Sequence, residues 1–338
     1  MSETIFITGG AGFIGSNFIR YILKVNPGWK IVNYDKLTYA GNPENLLDLQ
    51  NLPGYSFVRG DISDSAALSQ VIQDHHIEAV INYAAETHVD RSINDPEAFL
   101  KTNVLGVHCL LEQVRKFKLK KFIQISTDEV FGSLAQGKFN EESSFHPSSP
   151  YAAAKAGGDL LVQAYFTTYT TPVIVTHSSN IYGPYQYPEK LLPLFITNLL
   201  EDKTVPLYGD GHHVREWLYI EDHCRAIEAI LEHGVPGQVY NIGSGEEKTN
   251  VQVTEALLAL FGKSTDQISF VPDRPGHDVR YAVDSQKISR ELGWQPQVSF
   301  EQGLAATVEW YKQNPLWWSK IKNGEFKNYY AAQYLNYN

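Results

Sequence analysis

A strand-like run, Thr4-Ile5-Phe6-Ile7-Thr8, passes directly into Gly9-Gly10-Ala11-Gly12-Phe13-Ile14-Gly15 and then into a helical pattern starting near Phe13. A lone glycine pattern says little, but between a strand and a helix it constrains the fold. Gly9 permits the tight turn, Gly12 the approach of a pyrophosphate to the backbone, and Gly15 close packing of helix on strand. The first turn of the helix then offers unpaired N–H groups and a partial positive charge to the phosphates. Asp35 stands twenty positions beyond Gly15, at the end of the second strand pattern. A carboxylate there accepts hydrogen bonds from an adenosine ribose and repels a 2′-phosphate, which favours NAD over NADP. Lys36 softens that preference, and Asp61 and Ile62, after the third strand pattern, are expected beside the adenine.

Strand-like runs at 4–8, 30–34, 55–58, 79–82, 121–126 and 172–177 alternate with helical patterns at 13–25, 63–74, 97–117 and 150–169. Alternation of this kind means parallel strands joined by right-handed crossovers. The expected fold is therefore α/β: a Rossmann-type doubly wound parallel sheet with a smaller C-terminal α/β substrate lobe. Beyond residue 180 the texture changes to Gly-Pro turns and scattered Tyr and Trp, with helices expected near 190–201, 222–233, 250–262 and 301–312. The domains are read as 1–180 for the dinucleotide and 181–338 for the substrate, with later segments free to return to the first domain. The Trp- and Tyr-rich tail, 314–338, is expected to pack against the body.

With 43% hydrophobic and 20% charged residues in 338, the chain has an ordinary globular composition. No apolar run approaches the roughly 18 residues that span a bilayer, and the early first strand leaves no room for a leader, so a cytoplasmic location is expected. Cys109 and Cys224, far apart and in helical patterns, read as small buried hydrophobes rather than a disulfide or metal pair; no metal is expected. A net charge of −10 argues against nucleic acid or an anionic membrane as partner. It also requires that positive charge for any phosphate ester be concentrated locally.

The strand at 121–126 ends directly in Thr127-Asp128-Glu129. Ligands of open parallel sheets bind outside the carboxyl ends of the strands, although two adjacent carboxylates there could equally be turn formers. Ser149-Pro150-Tyr151 reads as a helix start, with Ser149 as N-cap and Pro150 at the first helical position. Tyr151 and Lys155 are four apart and share a face. An ammonium beside a phenol lowers its pKa from about 10, which suits Tyr151 to take a proton from a sugar hydroxyl as hydride leaves the carbon. The Tyr-x-x-x-Lys spacing is common by chance and gains weight from the fingerprint upstream.

These segments resemble the extended short-chain dehydrogenase/reductase family, nucleotide-sugar branch, and within it the 4,6-dehydratases. The resemblance runs from Ile5 to about Trp318. It rests on GGAGFIGSNF (9–18), AAETHVDRSI (84–93), STDEVFGS (126–133), YAAAKA (151–156), SNIYGPYQYPEKLLP (179–193), LYGDGHHVREWLYIEDH (207–223), NIGSGEEKTN (241–250) and DRPGHDVRYAVD (273–284). The Asp128-Glu129 pair is the most discriminating, because epimerase relatives carry small residues there and decarboxylases and GDP-mannose dehydratases keep a Glu without the preceding Asp.

The resemblance implies bound NAD and a nucleotide-sugar substrate, dTDP-glucose, with UDP-glucose as the alternative. It implies oxidation at C4 by Tyr151 with Lys155 and Thr127 in support, removal of the C5 proton by Glu129, and loss of the C6 hydroxyl as water with Asp128 as acid. A second carboxylate nearby raises one pKa of such a pair. Leu37, Thr38, Ala84, Ala85 and Thr102 join Gly9, Gly12, Phe13, Ile14, Gly15, Asp35, Lys36, Asp61, Ile62, Tyr151 and Lys155 at the cofactor. Thr87 approaches the sugar, and Lys190, Leu191, Arg215 and the segment Asp273-Arg274-Pro275-Gly276-His277 approach the nucleotide and diphosphate. Asn180 and Asn250 hydrogen-bond it, and Pro206-Leu207-Tyr208 form a wall for the base. Ile181 replaces an Asn that the family places near the cofactor, and Phe131 replaces a Tyr. The resemblance also implies a homodimer through helices 97–117 and 150–169. A 4-epimerase or decarboxylase, and a catalytically idle NAD-binding protein on the same fold, are the competing readings.

Overall fold

The computed structural model describes residues 3–324 and Tyr330. In the first half, β1 (Thr4–Thr8), β2 (Lys30–Asp35), β3 (Tyr55–Arg59), β4 (Ala79–Asn82), β5 (Lys121–Thr127) and β6 (Val173–Ser178) alternate with helices as the periodicity predicts. The second half adds β7 (Asn180–Tyr182), β8 (Val205–Tyr208), β9 (Val214–Tyr219), β10 (Val239–Ile242), β11 (Glu247–Thr249) and β12 (Ile268–Val271). Seven strands form one parallel sheet in the order β10-β6-β5-β4-β1-β2-β3. The order reverses at β1, so the turn after β1 opens at the switch point, where such sheets bind ligands. Because β10 lies beside β6, the chain re-enters the first sheet after building part of the smaller lobe.

Both faces of the sheet are covered, which is why its strands read as near-continuous apolar runs. One core packs Ile5, Ile7, Ile81 and Ile123 against the helices Phe13–Val25 and Ile220–His233. The other packs Phe6, Val80 and Phe122 against Ser65–Asp74, Val107–Phe117 and Pro150–Tyr169. A third core holds the smaller lobe together, with β11-β9-β7 and the parallel pair β12-β8 as its sheets. Both cysteines are buried and unpaired.

The sequence reading named no strand beyond 177 and no helix in the tail, and its long helix at 97–117 is divided. The continuous helix expected at 97–117 is Pro96–Leu100, a wide π-type segment Lys101–Gly106, and Val107–Phe117. The widening lies where Asn103 turns inward to exchange two 3.0 Å hydrogen bonds with the backbone of Glu86. Within the tail, Pro315–Asn323 is a helix whose Trp317 and Trp318 are buried in the smaller lobe's core; residues 325–329 and 331–338 lie outside the described residues.

The helix Pro150–Tyr169 carries Tyr151 in its first turn, and Ser149 Oγ accepts from Ala152 N–H at 3.1 Å to cap it. Ser149→Ala is expected to cost about 1 kcal/mol of stability, read as a lower midpoint in urea unfolding. An unchanged midpoint would show that the cap does not hold this helix end.

Candidate active site

The glycine turn is built for contact without side chains. Gly9 has φ +68°, and a Cβ there would lie 2.5 Å from Ala84 N; one at Gly15 would lie 2.5 Å from Gly9 O. At Gly12 a Cβ would meet only Gly9 O, at 3.3 Å, so this glycine keeps the space in front of the helix open. Gly12 is the N-cap of Phe13–Val25 and offers no side chain to its N–H groups, and the first turn carries no acid. That arrangement fits a diphosphate.

Asp35 ends β2 with Oδ2 accepting from Ala11 N–H at 2.9 Å and Oδ1 from Leu37 N–H at 2.8 Å. Burial raises its pKa while those two backbone donors oppose the rise. It therefore braces the glycine turn, and each oxygen keeps a second lone pair for a ribose hydroxyl. Lys36, whose charge counted against a strict NAD preference, is paired with Asp61 at 2.8 Å.

One cavity runs from this turn to the end of β5. It is lined by Gly9, Gly12, Phe13, Ile14, Gly15, Asp35, Lys36, Thr38, Asp61, Ile62, Ala84, Ala85, Thr87, Thr102, Thr127, Asp128, Glu129, Tyr151, Lys155, Asn180 and Lys190, all anticipated from sequence. Sequence reasoning did not single out Tyr34, Tyr83, Glu86, Ser126, Gln186 or Glu189, which line it too. Leu37 is not among the lining residues: its backbone serves Asp35, in a positive-φ conformation.

At the far end, Thr127 Oγ1 donates to Asp128 Oδ1 at 3.2 Å and accepts from Glu129 N–H at 3.2 Å. Thr127 also works against the rise in the pKa of the Tyr151 phenol. Asp128 is only 2% exposed, and its Oδ2 has no partner among the described residues. Burial first, then the Glu129 and Glu216 charges, hold its pKa well above the usual carboxylate range. A buried carboxyl group with a raised pKa thus sits beside a second carboxylate.

The phenol of Tyr151 departs from expectation. Its pKa is raised, by burial and then by the Glu129 charge, rather than lowered by Lys155. The ammonium donates instead to Ile125 O at 2.6 Å, and its own pKa is lowered by burial. Two desolvated groups on one helix face lose more to burial than the charge of one lends the other.

Of the residues anticipated for the nucleotide, Asn180 and Lys190 line this cavity, whereas Leu191, Pro206, Leu207, Tyr208, Arg215, Asn250 and residues 273–277 are not among its lining. Arg274 donates to Asp90 Oδ1 at 3.1 Å, and Tyr208 donates to Asp90 Oδ2 at 3.3 Å. Arg215, 5% exposed, donates to Val214 O and Asp278 O and lies over the Tyr281 ring. Both guanidiniums feel the Glu129 charge, which places them toward the reaction end. His277 pairs with Asp273 at 2.6 Å and stacks on His213 at 3.8 Å; burial and the Arg274 charge keep it neutral. Asn180 and Asn250 each leave a buried Oδ1 without a partner among the described residues. Lys190 donates to Thr87 O at 2.9 Å. Gly276 turns with φ +65°, next to Pro275. Leu207 is core of the smaller lobe, with Leu191 packed against that core and Pro206 buried in β8 beside it.

Asp90 and Glu189 carry much of this architecture and had no assigned role. Glu189, 5% exposed, accepts from Tyr39 OH at 3.1 Å and pairs with Arg91 at 3.3 Å, tying the loop after β2 to the segment after β7. Their partners lie about 100 to 180 positions away, at |i−j| of 98, 150 and 184, and no local spacing announces them.

Switch-point glycine turn, Tyr–Lys helix and strand-end carboxylates together define a nucleotide-sugar enzyme of the extended short-chain dehydrogenase class. The family model described as GDP-mannose 4,6 dehydratase matches residues 6–307. A dTDP-glucose 4,6-dehydratase of Streptomyces niveus is 49% identical over 323 residues, 94% of this chain and 96% of that one. The crystal structure of dTDP-glucose 4,6-dehydratase from Bacillus anthracis in complex with NAD is 49% identical with a TM-score of 0.90, over 95% of this chain and 100% of that one. The Streptomyces venezuelae enzyme of the same name, with NAD and TYD bound, is 47% identical with a TM-score of 0.92, over 94% of this chain and 100% of that one. The chain belongs to the dTDP-glucose 4,6-dehydratase family.

A raised Asp128 pKa means that the folded chain binds a proton the unfolded chain releases above about pH 4. Stability from this group is thus full below that pH and falls as pH rises toward its folded pKa. Asp128→Asn is expected to gain stability relative to the parent as pH increases, and to lose a protonated-carboxyl stretch from the infrared spectrum at neutral pH. An identical stretch in both proteins would contradict the assignment.

Proposed function

We propose that this chain converts dTDP-D-glucose to dTDP-4-dehydro-6-deoxy-D-glucose and water, with NAD held in the cavity described above. The observation that carries this reading is the buried Asp128 next to Glu129 at the end of β5, where burial holds its pKa well above the usual carboxylate range. The family model alone would allow a GDP-mannose enzyme, but the Asp before the Glu and the relatives' names favour a glucose nucleotide.

The uncapped helix Phe13–Val25 and Asp35 would hold the cofactor's diphosphate and ribose, with Thr102, Tyr151 and Lys155 lining the same cavity. Bound NAD would supply the acceptor for a hydride from sugar C4 and the donor of a hydride to C6. Tyr151 takes the C4 hydroxyl proton as the phenolate, having given up its own proton before the step, and Lys155 orients the site. Oxidation makes the C5 proton acidic, and Glu129 removes it. Asp128 gives its proton to the C6 hydroxyl, which leaves as water; Glu129 then returns its proton to C5. The proton count closes when a proton passes from Tyr151, which has gained one, back to Asp128, which has lost one, with Thr127, a donor to Asp128, as the group between them. Arg215, Arg274, Lys190, Asn180 and Asn250 hold the nucleotide diphosphate, supplying local positive charge in a chain of net charge −10.

We also propose a homodimer in the cytoplasm. The helices named for the interface expose Leu100, Leu105 and Leu160 at 56%, 48% and 55%, apolar surface that a second copy would cover. Among the described residues no helix is long and apolar enough to cross a membrane.

Purified protein given dTDP-glucose and no added reductant is expected to yield a product lighter by one water, seen by mass spectrometry. Asp128→Asn should lower kcat by roughly a hundredfold or more while C4 oxidation continues, so a 4-keto sugar of unchanged hydration accumulates. Full turnover by that variant would remove Asp128 from the mechanism. UDP-glucose, lacking one methyl, should fall about 10-fold to 200-fold in kcat/KM; equal values would assign the uridine nucleotide as an equal substrate.

A further inference from the structure

The aromatic tail reaches the cofactor turn through two hydrogen bonds. Trp317, 8% exposed, donates its indole N–H to Asn45 Oδ1 at 2.8 Å across 272 positions of sequence. Asn45, 1% exposed, donates from Nδ2 to Ala11 O at 2.9 Å. Ala11 O also accepts from Asn42 N–H at 3.0 Å, and Ala11 N–H is held by Asp35.

An indole N–H can only donate and a backbone carbonyl can only accept. Trp317 therefore fixes which end of the Asn45 amide faces Ala11. The Ala11–Gly12 peptide is then held at both ends, since Gly12 N–H donates to Gly9 O at 3.2 Å. That peptide sets the direction of the open helix N-terminus. We propose that Trp317 is a positioning residue for the dinucleotide turn, acting through Asn45, and that the C-terminal helix Pro315–Asn323 thereby sets cofactor affinity. The inference rests on the turn binding NAD.

The test compares two indoles of one helix. Trp318 donates to Tyr311 O at 2.9 Å, away from the turn. NAD binding to the full chain is measured by calorimetry for the parent, Trp317→Phe and Trp318→Phe. Trp317→Phe is expected to raise the Kd for NAD about tenfold, the scale of one lost buried hydrogen bond, with kcat at saturating NAD unchanged. Trp318→Phe, which loses a comparable bond, should keep the parental Kd. Asn45→Asp, whose carboxylate has no N–H for Ala11, should lose at least as much affinity as Trp317→Phe. The double variant Trp317→Phe/Asn45→Asp should lose no more than Asn45→Asp alone. A parental Kd in Trp317→Phe, an equal loss in Trp318→Phe, or additive losses in the double variant would overturn the relay. A parent that binds no NAD would instead overturn the functional reading beneath it.

Discussion

A carboxyl group shut away from water next to a second carboxylate has one inexpensive state, the protonated one. Asp128 is in that position, and the chemistry proposed for this chain follows from it. Elimination of a hydroxyl needs an acid that holds its proton near neutrality while a base stands ready on the adjacent carbon. In the proposed reaction, burial in the strand end suits Asp128 to be the acid and its neighbour Glu129 to be the base. Thr127 donates to Asp128 and accepts from the Glu129 N–H, so it holds the two carboxylates in register.

The sheet makes that placement available. Parallel strands direct their carboxyl ends to one edge, so the glycine turn after β1 and the carboxylates after β5 open into one cavity. The smaller lobe faces this edge with its arginines buried and oriented by backbone carbonyls and Asp90. Concentrated charge of this kind reconciles an acidic chain with an anionic substrate. Glu189 and Trp317 tie distant segments to the cofactor end, which makes the cavity a product of both halves of the molecule.

What could be read in the sequence is what the chain specifies locally. Strand and helix periods, the glycine turn, the Ser149 cap and the Tyr151–Lys155 spacing all depend on residues within a few positions of one another. The structure shows each of them where expected. The wide turn at Lys101–Gly106 was not legible, because it follows from Asn103 meeting the backbone of Glu86. Asp90, Glu189 and Trp317 act on partners whose proximity only the folded chain creates. The Tyr151 phenol illustrates a different limit: Lys155 shares its helix but donates to Ile125 O, and burial, which spacing does not measure, decides the direction of the phenol's shift.

In the proposed reaction, hydride lent at C4 is recovered at C6 within one active site whose acid and base are Asp128 and Glu129. Turnover of dTDP-glucose carrying deuterium at C4, with the product read by NMR and mass spectrometry, follows that hydride. Deuterium is expected at C6 of the 4-keto-6-deoxy sugar without dilution, with no accumulation of free NADH. Loss of the label to solvent, or its appearance in released NADH, would contradict that recovery.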